Sequence, residues 1–441
     1  MINKRLKKYF SYGQLQNVKS YSFVMFATII IQIFFPPIIL MIWGVKNYGA
    51  WIYLLSFISL ASLPLIPVTE VVRLEMTKAY ANKKYKYAND IFFNSLIWHS
   101  LNIIIISGSL IILKNSINFS SSLFSEINNI NINILFLILV LNAYLDIFKG
   151  FFYPALTFHG KIKLWNNIEI SYEIISKLVI IASAILFEFN YVFFFYFLSN
   201  VLRFIIVIYF YYSCNFRKNL YIPEKLFNTK IIKKIFYLST SYFCETITVN
   251  IKNNSFIFLI GTYFNASTLT LISTMKTIFY FLPFRISAII NYSSYIEFAK
   301  LKFNSYKEIR ITQKIYLRLI LSFLFFFIAG SVLLGKLFYE FWIHNNELIF
   351  DYKIMLFLIT ETSIIILFNT IIVPFKGLNK FFNIAAIDLL NSLIAFILCF
   401  YLLNTNSNLY LLFFTTVGMC LLNLIITISL YKNYLNNINE K

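Results

Sequence analysis

The sequence predicts an all-α, polytopic membrane protein with twelve spanning helices arranged as two six-helix lobes. Three observations carry that prediction. Charged residues make up 13% of the 441-residue chain and hydrophobic residues 59%, with a mean hydropathy of +0.74. A soluble domain carries roughly a quarter of its residues as Asp, Glu, Lys or Arg, and one soluble core cannot bury this much apolar surface. Apolar stretches of about 20 residues, each long enough to cross a bilayer, recur along the chain. Finally, the two halves carry short matching segments at an offset near half the length.

The helices are predicted at roughly 20–43, 48–69, 91–113, 131–152, 166–187, 190–212, 236–262, 267–291, 314–339, 353–375, 383–404 and 408–431. The short gaps hold turn-competent residues: Gly44, Asn190, Asn265 and Asn406. The expected lobes are 1–213 and 236–441, joined by a basic, Pro-containing linker at 214–235. The basic segment before residue 20 leads into a run too long for a signal-peptide core, so no cleavable signal is expected.

Twelve spans place both termini on one side, and the basic residues say which. With the N-terminus inside, 29 of the 38 Lys and Arg fall in cytoplasmic segments and only Lys46, Lys114, Lys336 and Lys353 outside. A single missed span would swap the later loops and destroy that bias. The net charge of +20 therefore reflects membrane orientation, and no nucleic-acid partner is expected.

The internal match has three parts. Gly44 and Gly261 end helices 1 and 7 at an offset of 217. Glu75, Lys78 and Asn82 are followed at an offset of 222 by Glu297, Lys300 and Asn304. Pro154 and Pro374, at an offset of 220, stand near the cytoplasmic ends of helices 4 and 10. Six helices return the chain to its starting side, so the repeats are parallel and a substrate site is expected between them.

Six-plus-six helices, a G-x-x-x-Y-G turn from Gly44 to Gly49 and a charged amphipathic loop after helix 2 resemble the polysaccharide flippases of the multidrug/oligosaccharidyl-lipid/polysaccharide exporter superfamily. The resemblance covers the whole layout but only these stretches in letters. It implies a MATE-like pair of lobes around a central cavity that opens alternately to each side of a bacterial inner membrane. The implied cargo is an undecaprenyl-diphosphate-linked oligosaccharide, such as an O-antigen or capsule unit. A polysaccharide polymerase and a chain-length regulator are the implied partners, alongside membrane lipid. Lipid II flippases of the superfamily usually have two extra helices and an Arg in helix 1, which this chain lacks.

Charges at membrane depth cost about 2.5–3.5 kcal/mol each on insertion scales, so each needs a reason. The bases are Lys177, Arg203, Lys252, Lys276 and Arg285; the acids are Glu245, Glu361, Asp388 and Asp146. All five bases are candidates to meet an anionic headgroup, which needs cations along a low-dielectric path. Glu245, Glu361 and Asp388 are candidates for ion coupling, because burial raises a carboxyl toward neutrality. Bland readings stand beside these. Glu173 and Lys177 form an i,i+4 pair, Glu245 and Lys252 lie two turns apart on one face, Asp146 is three residues from Lys149, and Arg285 can snorkel.

Pro36-Pro37 is read either as a static kink or as a gating bend, and Pro283 as a kink in helix 8. His99, His159 and His344 are far apart, and the four Cys lack metal or redox spacing, so no metal is expected. No phosphate-binding G-x-x-x-x-G-K-S/T occurs, and no cofactor is expected. The rivals are a multidrug antiporter of the same superfamily, suited to an acidic cavity, and a membrane polysaccharide polymerase. The longest outer loop, 114–130, is too short and too poor in carboxylates for a sugar-processing enzyme.

Overall fold

The computed structural model describes residues 12–61, 68–116, 132–158, 162–213, 227–300, 306–377, 381–405 and 408–439. Residues 214–226 of the predicted linker lie outside these residues, as do His159, Asn304 and Asn406. The described residues are helical apart from short turns. The first run, Tyr12–Ala61, consists of two helices (α1, 12–43; α2, 45–61) meeting at Gly44, with φ 71° and ψ 177°. Only glycine takes that conformation without a Cβ clash. There follow α3 (Val68–Ala81), α4 (Tyr85–Ser116), α5 (Ile132–Phe158), α6 (Ile162–Leu186) and α7 (Phe189–Ser213). Next comes α8, comprising Thr229–Asn250, a π-turn Ile251–Ser255 and Phe256–Tyr263. Helix α9 repeats that plan as Ala266–Lys276, a π-turn Thr277–Phe281 and Leu282–Lys300. The last four are α10 (Tyr306–Ile343), α11 (Tyr352–Gly377), α12 (Phe382–Thr405) and α13 (Leu409–Asn439).

Eight stretches among the described residues are long and apolar enough to cross a membrane by themselves, and one of them, Ser22–Phe57, joins α1 to α2. The other predicted spans are α6, which carries four charges, and α8 and α9, which the π-turns divide. The chain is therefore a multi-pass membrane protein. The exception is α3, which is amphipathic: Val68, Val71, Val72 and Met76 recur at helical spacing and pack on Ile91, Phe92 and Phe151.

Packing divides the chain into two units, one of residues 1–31 and 57–246, the other of 32–56 and 247–441. These units are not the sequence halves, because residues 32–56 pack with the C-terminal helices. Gly49 shows why that segment needs a small residue. A Cβ there would lie 2.9 Å from the Ala266 carbonyl oxygen and 3.0 Å from Thr270 Oγ1. Without a hydrophobic drive inside lipid, such close backbone approach supplies the dispersion contact that holds helices together. Gly261 lies inside helical backbone and is needed for another reason, since a Cβ there would strike the Tyr53 ring. The two glycines matched in sequence, Gly44 and Gly261, thus serve different ends.

Three prolines in the C-terminal unit each remove an i→i−4 hydrogen bond, and in each case a neighbouring helix supplies the missing donor. Pro37 frees the Ile33 carbonyl, which accepts from Trp342 Nε1 at 2.6 Å. Pro283 frees that of Phe279, which accepts from Thr362 Oγ1 at 2.9 Å. Pro374 frees that of Thr370, which accepts from Gln313 Nε2 at 3.0 Å. The break in the first helical run falls at Gly44, not at Pro36-Pro37, where the backbone stays helical. The bend expected at Pro283 takes the form of the π-turn just ahead of it.

Candidate functional site

In the C-terminal unit, the polar groups at membrane depth gather where the π-turns of α8 and α9 face α11, α12 and α13. A π-turn inserts one residue into an α-helix and leaves carbonyls out of register for their usual donors. Lys276, the residue before the second π-turn, reaches into the first: Nζ donates to the carbonyls of Lys252 and Asn253, each at 3.3 Å. Tyr280, within the second π-turn, donates its hydroxyl to Asn253 Oδ1 at 2.8 Å. The two irregular turns are therefore bonded to each other. Lys276 is only 1% exposed, and its ammonium lies 4.7 Å from the Tyr280 ring centroid and 5.4 Å from that of Phe256. Ring faces partly replace the water that the charge has lost. Among the described residues, no carboxylate lies within ion-pair distance of it.

Lys252, inside the first π-turn, forms an ion pair with Asp388 of α12 at 2.5 Å. Asn423 of α13 donates to the same Asp388 oxygen at 2.5 Å and accepts from Asn391. The intramembrane partner of Lys252 is thus Asp388, 136 residues away, and not the Glu245 that helical spacing suggested. Glu361 of α11 is 4% exposed and, among the described residues, has neither a hydrogen bond nor an ion pair. It borders a cavity of about 40 Å³ shared with Lys252, Ser392 and Asn423, enough for a buried water. Arg285 is half-buried two residues past Pro283.

The N-terminal unit holds a second cluster. Arg203 of α7 is 8% exposed and pairs with Asp146 of α5 at 3.3 Å and with Glu169 of α6. Lys149 lies 3.4 Å from both acids, so the expected Asp146–Lys149 pair exists within a larger network. The Arg203 guanidinium stacks 4.0 Å over the Tyr172 ring. Lys177 is half-buried in reach of the Glu173 field, and Thr28 of α1 donates to Glu173 at 3.2 Å. Glu245 is half-buried on α8 in this unit.

The sequence singles out the charged members of both clusters except Glu169, and misses Asn253, Tyr280, Thr362, Asn391 and Asn423. A signal for Asn391 and Asn423 exists, since both are polar residues within otherwise apolar spans. In a chain this rich in Asn and Tyr it does not stand out.

Outside the membrane-depth clusters, Glu75 of α3 is buried and takes Lys234 at 2.5 Å and Lys78 at 3.0 Å. Burial works to raise its carboxyl, but the hydrogen bonds from Lys234 and Lys78 prevail and hold it below the usual range. The same bond to Glu75 holds the Lys234 ammonium above its ordinary value.

An inward-facing multidrug resistance MATE family transporter of the MOP superfamily superposes with a TM-score of 0.60, covering 95% of this chain and 96% of its own at 11% identity. The chain has the fold of the MATE transporters. An outward-facing transporter of that family matches with a TM-score of 0.59 at 10% identity, over 96% of this chain and 97% of its own. A MOP superfamily transporter from Pyrococcus furiosus, described by a binding pocket of reversed polarity that suggests a different function, matches at 0.58 and 11% identity over 96% of each chain. No protein-family model matches the sequence, and no curated protein does.

Proposed function

We propose that this chain is an inner-membrane transporter that moves an undecaprenyl-diphosphate-linked oligosaccharide, such as an O-antigen or capsule unit, from the cytoplasmic to the outer leaflet by alternating access. The transporter fold supports the coarse part of this reading. The anionic cargo rests chiefly on Lys276, a buried ammonium that no carboxylate among the described residues contacts and that holds only carbonyls and ring faces. An incoming diphosphate offers it the partner it lacks. In this scheme Lys252 and Arg285 extend the cationic path in the C-terminal unit, and Arg203 and Lys177 are the headgroup-binding candidates of the N-terminal unit. Glu361 is the carboxyl whose occupancy changes with state; Asp388 and Glu245 are secondary candidates. Both termini are cytoplasmic, and a polysaccharide polymerase and chain-length regulator receive the product.

The test is transport of a fluorescent undecaprenyl-diphosphate sugar in proteoliposomes, read by leaflet-selective quenching. Protein-dependent loss of protection is expected; protection equal to that of empty liposomes overturns the reading. Glu361 favours a second reading, a multidrug exporter, since a buried carboxylate without a partner suits a cationic guest and two of the matched structures are multidrug transporters. Accumulation of a lipophilic cation by the same vesicles, without lipid transport, selects it.

A further inference from the structure

We infer that the crevice between α6 and α7 is a lateral berth for the lipid part of the cargo, an inference that rests on the lipid-linked-saccharide reading. The crevice has a volume of about 430 Å³, within the ~300–1,000 Å³ range of small-ligand sites. Its walls are mostly apolar, and at its mouth Ile175, Leu198, Leu202 and Ile206 are between 43% and 53% exposed, with no described residue covering them. Its floor is not apolar: Arg203 stands there with Tyr172. Two guanidinium nitrogens serve Asp146 and Glu169, while Nε is buried with no partner. A buried, unpaired donor on a cation calls for an acceptor.

Depth decides which amphiphile supplies it. Arg203 lies 14 residues from one end of the 25-residue α7 and 10 from the other, or roughly 20 and 15 Å at 1.5 Å per residue. The headgroup of a resident phospholipid stays at the interface, out of reach of that depth. A diphosphate in passage across the membrane takes that donor as the guanidinium turns toward the crevice, while its isoprenoid chain lies in the crevice. The acids are not stranded when the guanidinium turns to the guest, because Lys149 bridges both.

The experiment reconstitutes the full chain in vesicles of phosphatidylethanolamine and phosphatidylglycerol. One arm adds a diazirine-tagged polyprenyl diphosphate, the other a diazirine-tagged phosphatidylglycerol, and labelled peptides are mapped after illumination. The polyprenyl probe is expected to label α6 and α7, and Leu202→Trp, which fills the mouth from its lipid side, to cut that labelling at least fivefold. Leu319→Trp, on an exposed face of α10, controls for added bulk and leaves labelling unchanged. Equal labelling by phosphatidylglycerol, or labelling that Leu202→Trp does not alter, overturns the berth. Transport without crevice labelling sinks the berth and leaves the function standing. Crevice labelling without transport does the reverse, and neither signal rejects both.

Discussion

The indole nitrogen of Trp342 donates to the carbonyl of Ile33 at 2.6 Å, across 309 residues of sequence, because Pro37 has taken away the helical donor. Stranding that carbonyl costs about 1–3 kcal/mol. Trp342→Phe is therefore expected to lower the detergent-solubilised melting temperature by several degrees. Pro37→Ala in the same background restores a main-chain N–H and recovers most of the loss. If the two changes are additive in a double-mutant cycle, the proline and the indole are not coupled as described.

Lys252 and Asp388 give a second cycle. Removing one partner of a buried pair costs about 3–5 kcal/mol, whereas removing both is far milder. Lys252→Ala should cut membrane abundance severely, and Asp388→Asn in that background should return at least half of it. Glu245→Gln in place of Asp388→Asn should not. Rescue by Glu245→Gln would assign Lys252 to the helical neighbour after all.

Lys276 tests the cationic path. Lys276→Met keeps much of the shape but loses the charge and both carbonyl bonds, so transport of the diphosphate lipid should fall at least tenfold. Lys276→Arg should recover most of it. Transport by Lys276→Met at the wild-type rate, with equal expression, removes this residue from the mechanism.

A pH dependence follows from Glu75 and Lys234. The carboxyl is held down in the folded state, so its contribution is present above the ordinary glutamate range and is lost as pH falls through the lowered value. The ammonium is held up, so its share is present at neutral pH and is lost only as pH rises through its raised value. Lys234 is half-exposed, and screening limits the pair to about 1 kcal/mol or less. The melting-temperature difference between wild type and Glu75→Gln should be constant from pH 6 to 8 and shrink below pH 4. A difference that grows on acidification contradicts the lowered carboxyl.

Topology is tested with reporter fusions. Those after residues 46, 120, 265 and 346 should read periplasmic, and those after 80, 225, 305 and 436 cytoplasmic. Two consecutive reversals break the twelve-span arrangement.

The spans are legible in the sequence because an apolar run of about 20 residues matches the thickness of a bilayer and exceeds what a soluble core takes. Asp146–Lys149 is legible because i,i+3 spacing alone puts both on one face. The Lys252–Asp388 pair is not, since it joins helices 136 residues apart, and spacing on one helix points to Glu245 instead. Nor are the π-turns, because one inserted residue leaves hydrophobic periodicity almost unchanged. Pro37, Pro283 and Pro374 announce broken hydrogen bonds, but nothing in their surroundings names Trp342, Thr362 or Gln313 as the replacements.

The placement of residues 32–56 has a consequence for biosynthesis. Gly49 is made early, yet the Ala266 and Thr270 surface against which it fits emerges more than 200 residues later. At ~5–20 residues per second of translation, α1 and α2 wait in the bilayer for roughly 10–45 s with the Gly49 contact unmatched. During that interval it is available to insertion chaperones or to a neighbouring nascent chain. Slowing the ribosome between residues 60 and 260 should lengthen this exposure and lower the yield of folded protein.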